Sequence, residues 1–279
     1  MRRPAPARRM QLRDRTAVIT GAASGIGRAV ALSLARRGCH LALVDRDETG
    51  LAETAASAAA SGVRVSRHTL DVTDRAAIAA LPAAVVAEHP GVDLLVNNAG
   101  VALSGTFEQV EETAFEWLFE VNFWAVVRMA RAFLPLLRVS DDARLVNVSS
   151  VFGLVSPPGQ AAYSASKFAV RGFSQALRLE LAGTSVGVTV VHPGGVATSI
   201  AKNARAAPSL TPEEIARVRE RAQQHLRMPP EQAGEIIVRG IERRRPRVIV
   251  GNDAKIIAVL ERVLPVSHMK LLFRPQARR

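Results

Sequence analysis

Residues 16–27 read Thr-Ala-Val-Ile-Thr-Gly-Ala-Ala-Ser-Gly-Ile-Gly. Ala17-Val18-Ile19 is a short apolar run of the kind buried on both faces of a sheet, and small residues follow it at once. Gly21, Ser24, Gly25, Ile26 and Gly27 then lead into an Ala- and Leu-rich helical pattern that runs to about Arg37. A strand, a tight Gly-rich turn and a helix in this order bring backbone N–H groups and the positive helix end to one point. That arrangement suits a pyrophosphate.

The same alternation continues along the chain. Further strands are expected at Leu41–Val44, Val63–Leu70, Leu94–Val96, Leu145–Val148, Val188–Val191 and Val248–Val250. Helical patterns lie between them at Ala76–Glu88, Glu112–Leu137, Ala161–Leu181 and Glu231–Arg243. Strands separated by helices imply right-handed crossovers, and hence a single α/β domain with a Rossmann-type, doubly wound parallel sheet of about seven strands. We expect that domain over 12–253, after a basic disordered leader at 1–11. Within it, the polar, Ala-rich stretch 200–228 is long enough for a substrate lid.

Composition agrees with this architecture. The 279 residues are 48% hydrophobic but only 4% aromatic, as suits Val- and Leu-rich strands under Ala-rich helices. The net charge of +12 sits in the ends, with six Arg against one Asp in 1–15 and eleven Lys or Arg against three acids in 239–279. A near-neutral body argues against specific nucleic-acid reading. No apolar run spans a bilayer, and the single cysteine, Cys39, makes the cytosol the simplest compartment. The six histidines show no metal-ligand spacing, so no metal is expected.

Asp45 ends the second strand about 20 residues past the turn, where a carboxylate accepts hydrogen bonds from ribose hydroxyls and repels a 2′-phosphate. NAD(H) is therefore favoured. Arg46 next door keeps NADP(H) as the alternative. Asp71-Val72 closes the third strand where an adenine edge would lie, and Asp71 could equally cap the following helix. Tyr163, the only tyrosine, precedes Lys167 by one helical turn, so both project from one face. A free phenol titrates near ~10, and a neighbouring ammonium with the cationic oxidised nicotinamide would lower that value. Ser150, after the fifth strand, stands at the sheet edge where ligands of open α/β sheets bind.

The glycine spacing at 21, 25 and 27, together with Asn97-Asn98-Ala99-Gly100 after the fourth strand, resembles the classical short-chain dehydrogenase/reductase family. The resemblance runs from about Leu12 to Thr198. It implies that Asn98, Ala99 and Gly100 support the sheet beside the cofactor, and it selects Ser150 over Ser149 as the catalytic serine, thirteen residues before Tyr163. It adds Asn122, which in the family helps hold a water linked to the active lysine. It also implies that Pro193, Gly194, Val196 and Thr198 pass the nicotinamide and diphosphate, with Gly195 at a variable site. The implied activity is interconversion of a secondary alcohol and a ketone or aldehyde, with Tyr163 and Lys167 beside the cofactor. The Tyr-to-Lys interval differs from that of the enoyl reductases, and the glycine spacing from that of the extended epimerases. Family members build a dimer interface from the helices matching 112–137 and 161–181, so a homodimer or homotetramer is expected. The alternative is a non-catalytic cofactor-binding regulator, or a membrane-associated platform on the same fold.

Residues 254–279 form a basic amphipathic extension. Ile256, Ile257, Val259, Leu260, Val263 and Leu264 make an apolar helical stripe. It could pack over the substrate pocket or a partner subunit, or lie peripherally on a membrane.

Overall fold

The computed structural model describes residues 9–273. Seven parallel strands form one sheet: β1 (Thr16–Thr20), β2 (His40–Asp45), β3 (Val65–Thr69), β4 (Leu94–Asn97), β6 (Ala143–Val148), β7 (Val186–Pro193) and β9 (Arg247–Val250). Their spatial order is β3-β2-β1-β4-β6-β7-β9. The chain winds outward from β1 through β2 to β3, then returns to the other side of β1 as β4. The crevice for a ligand in such a sheet lies where the winding reverses, outside the carboxyl ends of β1 and β4. The Rossmann-type doubly wound architecture expected from the sequence is the one observed.

Burial follows position in the sheet. Every residue of β1, β4 and β6 is buried, whereas the edge strand β3 alternates. Central strands are covered on both faces and so read as continuous apolar runs. On one face lie α1 (Gly25–Ala35), α2 (Glu48–Ala59) and α8 (Pro230–Glu242), and on the other α3 (Arg75–Glu88), α5 (Ala125–Val139) and α6 (Ala161–Glu180). Helices α1 and α8 approach closely because Gly234 faces Ala29, where a Cβ would lie 2.6 Å from the Ala29 carbonyl carbon. Phe133 of α5 is fully buried under the other face. Its truncation to alanine would cost about 3–5 kcal/mol.

The boundaries differ from expectation in four places, each with a local cause. Met10 is buried and its N–H donates to the Glu242 carbonyl, so the expected leader is ordered at its C-terminal end. The rest of that leader, 1–8, lies outside the described residues. β3 is shorter than 63–70 because only 65–69 find partners on β2. The expected helix 112–137 is two helices, α4 (Glu112–Phe119) and α5, joined by a π turn at Glu120–Trp124. A two-residue parallel ladder also joins β5 (Leu103–Ser104) to β8 (Arg205–Ala206), tying the 200–228 stretch to the loop after β4. That stretch continues into α7 (Pro212–His225), which starts with a capping box made by Thr211 and Glu214.

The C-terminal extension forms α9 (Asn252–Val263) and α10 (His268–Leu272). Ala258 and partly buried Ile257, Met269, Leu272 and Phe273 pack on Leu154 and Val155, just beyond Ser150. Residues 274–279 lie outside the described residues.

Candidate active site

The turn after β1 is built by backbone needs. Gly21 has φ +68° and Gly25 φ +54°, conformations a side chain resists. Gly27 has a different reason: a Cβ there would lie 2.0 Å from the Gly21 carbonyl oxygen. Ser24 precedes α1 without capping it, and the first turn of α1 carries no acid. The positive helix end is thus left for an anion from outside the helix. Ile26 anchors the turn against the core below.

Asn98 locks this turn to the neighbouring strand. Its Nδ2 donates to the Thr20 and Gly21 carbonyls at 3.0 and 3.2 Å, while the Asn98 and Ala99 N–H groups donate to the Thr20 hydroxyl. Asn97 lies fully inside, donating to Asn147, which donates in turn to Ser174. The Asp45 carboxylate accepts from the Ala23 N–H at 3.0 Å and so faces the same turn. Arg46 instead reaches Asp71, 3.8 Å away. Asp71 does not cap α3: Asp74 does, accepting from the Ala77 N–H, while Asp71 accepts from Thr73. Burial works against the Asp71 carboxylate, but the Thr73 and Arg46 contacts outweigh it and hold the group below its usual range. Val72 beside it is buried in the core.

Across the crevice, β7 ends in Pro193-Gly194-Gly195-Val196-Ala197-Thr198. Thr198 comes back over the glycine turn, its Cγ2 3.0 Å from where a Gly25 Cβ would stand. Val196 is buried and bridges Met228. Gly195, which the sequence marks only as variable, is tightly constrained. A Cβ there would lie 1.8 Å from the His225 carbonyl oxygen, and its own carbonyl accepts from Arg227 and Met228. Asp253 closes the loop from behind, accepting from the Gly195 N–H and facing Gly194.

The four proposed catalytic side chains meet between these two loops. Asn122, Ser150, Tyr163 and Lys167 are all buried. Lys167 Nζ lies 5.7 Å from the Tyr163 ring centroid and donates to the Val148 carbonyl at 3.3 Å. Gly100 fits between two of them: a Cβ would lie 3.2 Å from Asn122 Oδ1 and 3.3 Å from Lys167 Nζ. Asn122 pairs with both peptide groups of Val101 at 2.8 and 3.0 Å, and donates to Ser166 at 3.2 Å. Its position inside the π turn has no signal in residue spacing, although such turns concentrate at functional sites. Phe152 packs edge-on to Tyr163, with centroids 6.1 Å apart.

Burial adds an opposing effect that the residue spacing omits. Burial pushes the Tyr163 phenol above its ordinary range, and the Ser150 side chain acts against that shift without reversing it. Burial also pushes the Lys167 ammonium down, to about 8. In the protein alone, desolvation outweighs the Ser150 contact at the phenol. His192, just before the Pro193 loop, is fully buried. Its Nδ1 contacts the Ser150 carbonyl at 2.9 Å, so it braces the serine's backbone. Burial lowers its pKa to about 4.

A doubly wound parallel sheet with a glycine-lined turn at its switch point and a buried Ser-Tyr-Lys group beside it defines a nucleotide-binding oxidoreductase class. The chain belongs to the short chain dehydrogenase family, whose model matches residues 15–209. It is 44% identical over 261 residues to SadH of Mycobacterium tuberculosis, which carries an oxidoreductase name, covering 92% of this chain and 94% of that one. It is 32% identical over 274 residues to human estradiol 17-beta-dehydrogenase 11, covering 96% and 85%. Among solved structures, a short chain dehydrogenase/reductase from Burkholderia phymatum in complex with NAD superposes with a TM-score of 0.84. It is 31% identical and covers 97% of this chain and 99% of its own.

Proposed function

We propose that the chain interconverts a secondary alcohol and its ketone or aldehyde, using a nicotinamide dinucleotide and Tyr163 as the proton-transfer group. The observation that carries this reading is the meeting of buried Tyr163, Lys167 and Ser150 beside the crevice that holds the glycine turn. The cradle fits a dinucleotide: Gly21, Ser24, Gly25, Ile26, Gly27 and Thr198 would hold the diphosphate, and Asp71 and Val72 would face the adenine. Asn98, Ala99, Gly100, Tyr163, Lys167, Pro193, Gly194 and Val196 would surround the nicotinamide half. Asp45 faces the turn while Arg46 is drawn to Asp71, which supports NAD over NADP.

The bound nicotinamide would supply or accept the hydride. Ser150 hydrogen-bonds the substrate oxygen and holds it against the phenol. In oxidation Tyr163, as phenolate, takes the hydroxyl proton; in reduction the phenol returns it. A buried ammonium at Lys167 stabilises the phenolate more strongly than one in water, since little solvent screens it. Substrate would enter between the sheet edge and the 200–228 lid.

Trp124 at the end of the π turn and Phe168 on α6 are exposed, and a cleft of about 470 Å³ lined by Phe115, Glu116, Phe119, Glu120 and Trp124 opens on that flank. None of the four catalytic side chains lines it. These features support a homo-oligomer formed through α4–α6.

Tyr163→Phe tests the reading. We expect turnover over a panel of graded alcohols and ketones to fall at least about a hundredfold, with NAD affinity nearly unchanged. Retained activity would exclude Tyr163 as the proton-transfer group.

A further inference from the structure

The face of α9 that turns away from the body is apolar. Ile256, Val259 and Val263 lie three and four residues apart on one helical face, with Val266 and Leu271 beyond them. All five are 61% to 81% exposed. Isolated exposed aliphatics are ordinary, but a run of this size along one short segment marks a contact surface. The opposite face of α9 is already satisfied by Leu154 and Val155.

Charge selects the occupant. Residues 251–273 contain two acids, and both turn toward the body: Asp253 accepts from the Gly195 N–H, and Glu261 pairs with Arg171 at 3.5 Å. Lys255, Arg262 and Lys270 are exposed and enter no ion pair among the described residues. The sequence then adds Arg274, Arg278 and Arg279. In a two-fold interface with a second copy, both surfaces would bring the same excess of cations. An anionic lipid surface offers the opposite sign to the cations and an acyl boundary to the aliphatics.

We propose that the outer face of α9 and α10 docks on a membrane surface bearing anionic lipid. Docking leaves the catalytic groups untouched, since α9 meets the body through its other face. It also sets the 193–198 loop, held through Asp253, within one helix of the bilayer.

The full chain would be co-sedimented with phosphatidylglycerol/phosphatidylcholine vesicles and with vesicles of phosphatidylcholine alone. Binding to the anionic vesicles should be at least about tenfold stronger. The triple variant Ile256→Ser, Val259→Ser, Val263→Ser should lose about tenfold in that binding while keeping its circular dichroism and NAD affinity. Charge reversal at Lys255, Arg262 and Lys270 should remove the preference for anionic vesicles. Equal binding to both vesicle types, or undiminished binding by the serine variant, would overturn the proposal. So would a wild-type dimer that the serine variant dissociates, with no lipid binding by either. Because the readout is sedimentation, it stands or falls separately from Tyr163 chemistry.

Discussion

Asp253, on the first turn of α9, accepts a hydrogen bond from the Gly195 backbone N–H at 2.7 Å, 58 residues away in sequence. The same carboxylate fills the space beside Gly194, where a Cβ would lie 2.2 Å from Oδ2. One side chain of α9 thereby shapes the 193–198 loop, which we propose faces the nicotinamide half of the cradle. Asp253→Ala should weaken NAD binding about fivefold, the value of roughly one hydrogen bond to a charged acceptor in an exposed setting. Fluorescence titration with NAD reads this directly. Unchanged affinity would mean that the loop keeps its shape without the tether.

Gly100 gives a second test, because it lies against two of the proposed catalytic side chains. Asn122 is held at three points, so a methyl group on Gly100 pushes chiefly on the Lys167 ammonium. Gly100→Ala should lower kcat about tenfold through a shift of a few tenths of an ångström in Lys167. Overpacking should cost only about 1 kcal/mol in urea unfolding. Equal losses in kcat and stability would point to general disruption instead.

The contrast between these two sites shows what the sequence could and could not convey. Gly21, Gly25 and Gly27, the buried strands, and the Tyr163–Lys167 pair were readable because their signals are local: spacing, periodicity and turn chemistry. The π turn around Asn122 was not, since its residues fit an ordinary helix equally well. Asp253–Gly195, His192–Ser150 and the β5–β8 ladder join segments far apart in sequence and leave no periodic trace. The rise in the Tyr163 phenol was also invisible, because burial is a property of the assembled site. Spacing alone suggests a stabilising ammonium and omits the desolvation that opposes it.

The 200–228 segment is tied to α4 by a cation on an indole face. The Arg205 guanidinium stacks on Trp117 of α4, 3.6 Å from the ring centroid, beside the β5–β8 ladder. A cation on an indole face is worth about 1 kcal/mol when partly exposed. If 200–228 closes over substrate, Arg205→Ala should raise KM about fivefold and leave kcat within about twofold. Arg205→Lys should recover only part of the loss, since it keeps the charge but not the planar stack. A KM equal to wild type would remove this segment from substrate retention.

His192 makes stability depend on pH in a defined window. Burial holds its folded pKa near 4, against 6.5 for an ordinary imidazole, while its contact with the Ser150 carbonyl acts weakly the other way. Between those values the unfolded chain binds the proton that the folded one refuses, so stability rises with pH. The contribution is complete above pH 6.5, is lost as pH falls, and is gone below about 4, a change of about 3 kcal/mol at most. His68 and His89 are also lowered, mainly by burial, and share the sign. Glu235, held to about 2 chiefly by its hydrogen bond from Arg37, loses its contribution in a lower window, between 4.5 and 2. His192→Asn retains a donor for the Ser150 carbonyl but cannot titrate. Urea unfolding at half-unit pH steps should therefore show a shallower decline from pH 6.5 to 4 in the variant, by about one proton's worth of slope, with no change below pH 4. Parallel curves for the two proteins would show that His192 takes up its proton in the folded chain as readily as in the unfolded one.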